Sequence, residues 1–184
     1  MDSVMKRKLW LSSVVMSVVY SGTVCADNAK NWETLSDIGT YGLVGLAFAM
    51  PAYKSDWQGF TQAGLSIATA SGVGLVTKSL IDEERPDGSG NDSFPSNHTA
   101  NAFAAATTLN IRYGWEVGLP AYGVAALSGV GRVEGNKHYW RDVLAGAVLG
   151  TVSAWIFTES LDDSVQVLPW IDGEQAGISV TMRW

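Results

Sequence analysis

Two histidines, His98 and His138, stand at the edges of apolar segments, each inside a polar cluster. A lone histidine is more often structural than catalytic, but a pair in such settings points to proton transfer or nucleophilic attack. His138 and Asp142 are four residues apart, so on a helix they share a face. A carboxylate bonded to one ring nitrogen fixes the tautomer and leaves the other nitrogen free to attack. It would also stabilise the cation formed if that ring were phosphorylated. Pro95-Ser96-Asn97-His98 precedes an Ala-rich segment from Thr99. Ser96 or Asn97 suits a helix cap there. The open N–H groups of such a helix start bind phosphate oxygens, and His98 is placed to protonate a leaving alcohol.

Charge narrows the ligand. The 184 residues carry 12 Lys+Arg against 18 Asp+Glu, a net charge of −6. Residues 1–26 read as an export signal: Lys6, Arg7 and Lys8, a short apolar run from Leu9 to Tyr20, then Val24-Cys25-Ala26. Cleavage before Asp27 would remove the single cysteine and leave 9 cations against 17 acids, a net charge of −8. An uncleaved anchor helix is the other reading of the same residues. So acidic a chain is a poor nucleic-acid binder. Five of the nine cations lie in two stretches, Lys78 and Arg85, then Arg132, Lys137 and Arg141. They either meet an anionic ligand or pair with neighbours such as Asp82, Glu83, Glu84 and Glu134; composition does not decide.

Taken together, three motifs do. Lys78 to Pro86 reads KSLIDEERP, Phe94 to Thr99 reads FPSNHT, and Arg132 to Asp142 reads RVEGNKHYWRD. In order, spacing and residue type they resemble the type-2 phosphatidic-acid phosphatase superfamily, which includes bacterial acid phosphatases and vanadium haloperoxidases. The resemblance implies an α-helical bundle and a phosphatase working through a phosphohistidine on phosphomonoesters or lipid phosphates. By it, His138 attacks phosphorus, Asp142 orients it and His98 protonates the leaving oxygen. Lys78, Arg85, Arg132, Ser96 and the N–H of Asn97 bind phosphate. No cofactor is implied, and no cluster has metal-ligand spacing. Two positions depart from the commonest pattern, Asn97 and Gly131, where glycine and serine are usual. Asn97 is expected to narrow the pocket, and Gly131 to cost a hydroxyl on the phosphate. A vanadate-dependent haloperoxidase and a non-catalytic anion-binding envelope protein are the rival readings.

The elements that must position these residues are helical. With 47% hydrophobic and 16% charged residues, the composition lies near the border with membrane proteins. Apolar segments at roughly 35–53, 58–81, 97–112, 117–131 and 140–158 are of helix length without two-residue alternation. They predict a compact all-α bundle of about five helices, forming one domain over 27–184. Gly42, Gly45, Gly64, Gly72, Gly74, Gly146 and Gly150 would let its helices approach closely. Asp82 to Asn91 predicts a functional loop. Val165 to Ile171 and Gly177 to Trp184, around Asp172-Gly173, predict a short C-terminal capping hairpin. The eight tryptophans are expected in core or interface packing. The motifs fall at one end of such a bundle. The segments are short and interrupted for spanning. That leans toward an exported periplasmic or envelope protein associated with a membrane, though the sequence does not separate a soluble from an integral form.

Overall fold

The computed structural model describes residues 29–160, with the backbone of 165–172 and 175–182. The expected export signal lies outside the described residues. Five helices follow one another: α1 (Ala29–Tyr53), α2 (Trp57–Leu80), α3 (Asn97–Tyr113), α4 (Trp115–Glu134) and α5 (Trp140–Phe157). They alternate in direction, so α2 and α4 end, and α3 and α5 begin, at the same end of the bundle.

The centre is α3, which packs against all four other helices. Its alanines make this feasible: Ala100, Ala102, Ala104, Ala105 and Ala106 are fully buried and keep neighbouring axes close. Leu43, Met50, Leu109 and Val124 supply the larger core side chains. The tightest contact is with α5. A Cβ on Gly146 would lie 2.4 Å from the Ser96 carbonyl oxygen, and one on Gly150 2.0 Å from that of Ala100. The two backbones therefore touch through a glycine-x3-glycine stripe, the pattern that permits close helix approach. Not every expected glycine works this way. Gly42, Gly45 and Gly72 face open space.

At the end away from the motifs, Asp56 caps α2 by accepting from the Gly59 N–H at 2.9 Å. It also takes two bonds from Arg112 (2.6 and 2.7 Å) and one from Tyr113 Oη (2.9 Å). These bonds hold its carboxyl down to about 2, led by Arg112. This buried, fully bonded pair locks α3 to the α1–α2 turn.

Two sequence expectations need correction. The expected capping hairpin does not cap the bundle. β1 (Val165–Asp172) and β2 (Gln175–Met182) pair antiparallel, closing on Asp172 and Gln175. Among the described residues each strand makes its substantial contacts with the other and not with a helix. The fold is thus an all-α bundle of five helices, with the strands standing outside its packing. The second strand also begins two residues before the alternation from Gly177 suggests, because the closing pair sets the register. Of the tryptophans expected in core or interface packing, Trp57, Trp115, Trp140 and Trp155 are exposed, which rules out the core for these four and leaves the interface.

Candidate active site

The residues of the three motifs meet at one end of the bundle, and local backbone geometry explains their spacing. After Arg132 the last turn of α4 closes at Gly135, and Asn136 adopts a left-handed conformation (φ 54°) that reverses the chain. The Arg132 carbonyl then accepts from the N–H groups of Lys137 (3.0 Å) and His138 (3.1 Å). The six-residue step from arginine to histidine is one helix ending plus this reversal. His138 is buried in the turn just before α5, not on the helix.

Asp142 therefore meets His138 by another route than a shared helical face. It sits in the first turn of α5, fully buried, and reaches back: its Oδ2 accepts from the Tyr139 N–H at 2.9 Å and from Ser93 Oγ at 2.6 Å. His138 Nδ1 lies 3.6 Å from the same oxygen, beyond hydrogen-bond reach, and has no hydrogen-bond partner. The two groups face each other but are not bonded: Ser93 and the Tyr139 backbone occupy Oδ2, and Oδ1 is buried without a hydrogen-bond partner. Burial, then the charges of Arg132, Lys78 and Arg85, pull the His138 pKa down to about 3. The ring is neutral at physiological pH, with a free lone pair. Cations from three separate elements act on it together.

Ser96 caps α3, its Oγ accepting from the Thr99 N–H at 3.5 Å and from Thr99 Oγ1 at 3.0 Å. Its own N–H donates to the Asp142 carbonyl at 3.0 Å, tying the starts of α3 and α5 together. Asn97 does not behave as the sequence suggests. Its side chain turns toward α2, donating to the Ser71 carbonyl at 3.4 Å and lodging where a Cβ on Gly74 would meet its Oδ1 at 2.0 Å. It fills a notch between helices instead of narrowing a pocket. Gly131 also has a structural reason: a Cβ there would stand 2.7 Å from the Trp32 carbonyl oxygen on α1. A serine cannot occupy that position at this helix spacing.

The cations are internally paired, mostly with acids that are not their nearest in sequence. Arg85 forms a two-pronged bridge to Asp92 (2.8 and 3.0 Å), and Lys78 Nζ donates to the Asp92 carbonyl. Arg132 Nη1 lies 3.3 Å from Asp37 Oδ1, and its Nε is buried without a partner. Of the acids singled out from sequence, Glu83 takes Arg141. Lys137 bridges to Asp87 at 2.9 Å and Glu33 at 3.7 Å, fastening the polar loop across the α4–α5 turn to α1. His98 Nε2 pairs with Asp37 Oδ1 at 3.0 Å, and the ring stands edge-on to Tyr41. Burial first, then Arg132, lower the His98 pKa, with Asp37 opposing. Asp37, Asp92 and Ser93 are the site residues that sequence reasoning missed. Asp37 stands alone on α1, outside every motif, whereas Asp92 and Ser93 are consecutive and directly precede Phe94 of the second motif, a signal that could have found them.

Among the described residues no group of His, Cys, Asp and Glu is arranged to hold a metal ion, and no helix is long and apolar enough to cross a membrane. Residues 59–165 match the PAP2 superfamily. A lipid A 1-phosphatase of Porphyromonas gingivalis is 39% identical over 90 residues, covering 47% of this chain and 20% of that protein. The chain thus spans about a fifth of that relative's length. Two crystal structures share the fold. One is Aquifex aeolicus LpxE (TM-score 0.60, 18% identity, 77% of this chain and 90% of that one). The other is a transmembrane PAP2-type phosphatidylglycerolphosphate phosphatase from Bacillus subtilis (TM-score 0.58, 23% identity, 85% of each chain).

Proposed function

Since this chain belongs to the PAP2 superfamily, we propose that it is a phosphatase of the cell envelope that hydrolyses a lipid phosphate through a phosphohistidine on His138. The observation that carries this reading is the state of His138: a buried, neutral imidazole under the charges of Lys78, Arg85 and Arg132. Such a ring is a nucleophile set among groups that attract an anionic ester.

In the first step the lone pair of His138 Nε2 forms a bond to phosphorus. The bond to the leaving oxygen breaks, and that oxygen takes its electron pair and a proton from His98. Lys78, Arg85 and Arg132 hold the equatorial oxygens, with Ser96 and the Asn97 N–H at the helix start adding neutral donors. To bind, phosphate displaces Asp92 and Asp37 from these cations. Asp142, 3.6 Å from Nδ1, offsets the charge on the phosphorylated ring. His98 then takes a proton from water as its oxygen attacks phosphorus, and the bond to Nε2 breaks. Every proton moves between histidine, water and ester, so this scheme routes no step through a metal. A lipid is favoured over a soluble ester by the relative that acts on lipid A and by exposed Ile38, Leu80, Ile81, Tyr139 and Trp140 around this end of the bundle.

The test is to trap the intermediate. Purified protein given labelled phosphatidate or a nitrophenyl ester in chelator is expected to form an acid-labile, base-stable phosphoenzyme. His138→Ala is expected to abolish both labelling and turnover. His98→Ala is expected to lose about 10²–10⁴-fold on the alkyl ester while still labelling with the nitrophenyl ester. Near-normal activity in His138→Ala, or a requirement for added divalent metal, overturns the proposal.

A further inference from the structure

The motifs that resemble the superfamily lie between Lys78 and Asp142, and the family match begins at residue 59. Helix α1 is outside both, yet it supplies the nearest partner of His98. Asp37 Oδ1 lies 3.0 Å from His98 Nε2 and 3.3 Å from Arg132 Nη1, so one oxygen joins the ring to the arginine. One turn further along α1, Tyr41 stands edge-on against the same ring, its centroid 5.7 Å away. An acid from one side and an aromatic edge from the next turn fix both the position and the rotation of the imidazole.

We propose that Asp37 is a positioning residue for His98, holding the ring in the Nε2–H tautomer so that Nδ1 carries the proton exchanged with the ester. The inference rests on the phosphatase reading above. The chemistry follows from the contact. A carboxylate at hydrogen-bond distance from Nε2 accepts from it, which leaves Nδ1 as the second nitrogen to gain and lose a proton. In the first step Nδ1–H passes its proton to the leaving oxygen. In the second, Nδ1 takes one from the attacking water. The charged groups facing the ring are Asp37 from α1, Arg132 from α4 and Arg85 from the loop, and the Tyr41 ring stands beside it from α1. Both arginines oppose the imidazolium, and Asp37 is the acid that balances them. Without its charge the protonated ring would persist only at lower pH.

The experiment compares Asp37→Asn and Asp37→Glu with the parent chain on an alkyl phosphate and on a nitrophenyl phosphate across pH. Asparagine keeps the acceptor and removes the charge. It is expected to cost about tenfold or more in kcat on the alkyl ester, to move the alkaline limb of that profile to lower pH, and to change the nitrophenyl ester by less than about threefold. Asp37→Glu is expected to restore the limb. Equal losses on both esters with an unmoved limb would make Asp37 merely structural and overturn the inference. A parent chain inactive on every ester would instead refute the phosphatase reading. In that case titration of the His98 ring by NMR decides the inference alone: a lower midpoint in Asp37→Asn supports it, and an unchanged midpoint overturns it.

Discussion

A buried histidine under the charge of three cations resists protonation, and the fold bears the consequence. The unfolded chain binds a proton at His138 near the ordinary histidine pKa of 6.5, whereas the folded chain does so only near about 3. Between these values the unfolded state holds more protons, so stability falls as pH falls. His98, also lowered, acts in the same direction. Denaturant unfolding at pH 7, 5 and 4 is therefore expected to show a steady loss of stability, with a smaller slope in His138→Gln. A parallel slope in that variant would mean that other groups carry the acid sensitivity. At this scale the sequence is informative where chemistry demands a fixed spacing. Lys78, Arg85, Ser96, His98, Arg132, His138 and Asp142 all reach one end of the bundle. It is silent where an acid arrives from outside the motifs, as Asp37 does from α1 and Asp92 from the loop before α3, and it mistakes the side-chain direction of Asn97. That direction depends on a notch at Gly74, which no residue near Asn97 announces.

Helices were legible for a different reason. Long apolar segments without alternation leave little but a bundle, and the polar breaks at 54–56, 81–96 and 135–139 mark its turns. Which glycines matter was not legible, because a glycine against a neighbouring backbone and one facing outward look alike in sequence. The structure separates them, and the difference is measurable. Gly150→Ala pushes a methyl into the Ala100 carbonyl and is expected to destabilise by about 1–3 kcal/mol. It is also expected to slow turnover by parting α5 from α3, and so Asp142 from Ser96. Gly42→Ala, with nothing within 4 Å of its new carbon, is expected to gain about 0.5–1 kcal/mol from helix propensity. Thermal unfolding of the two variants checks both signs. A neutral Gly150→Ala would show that α5 can shift without cost.

Over the whole molecule, the residues of the three motifs gather at one end, while much of the exterior of the described helices is apolar. Leu65, Val73, Leu75 and Val76 on α2 and Leu144, Val148, Val152 and Ile156 on α5 are exposed, and these two helices pack side by side. Sequence patterning hides this, since helices apolar on every side do not declare which side faces outward. Tyr53, Trp57, Trp115 and Trp155 are exposed near the helix ends remote from His138, and Tyr139 and Trp140 near the other. Aromatic side chains are enriched where a protein meets a lipid–water boundary. The indoles thereby become a built-in optical gauge. Added to anionic vesicles, the protein is expected to shift its tryptophan emission to the blue. Quencher-bearing lipids are expected to dim Trp57→Phe less than the parent if that remote end enters the lipid, and equally if only the His138 end touches it. An emission spectrum indifferent to vesicles would mean that the exterior meets another partner, and the same four rings would then report its arrival.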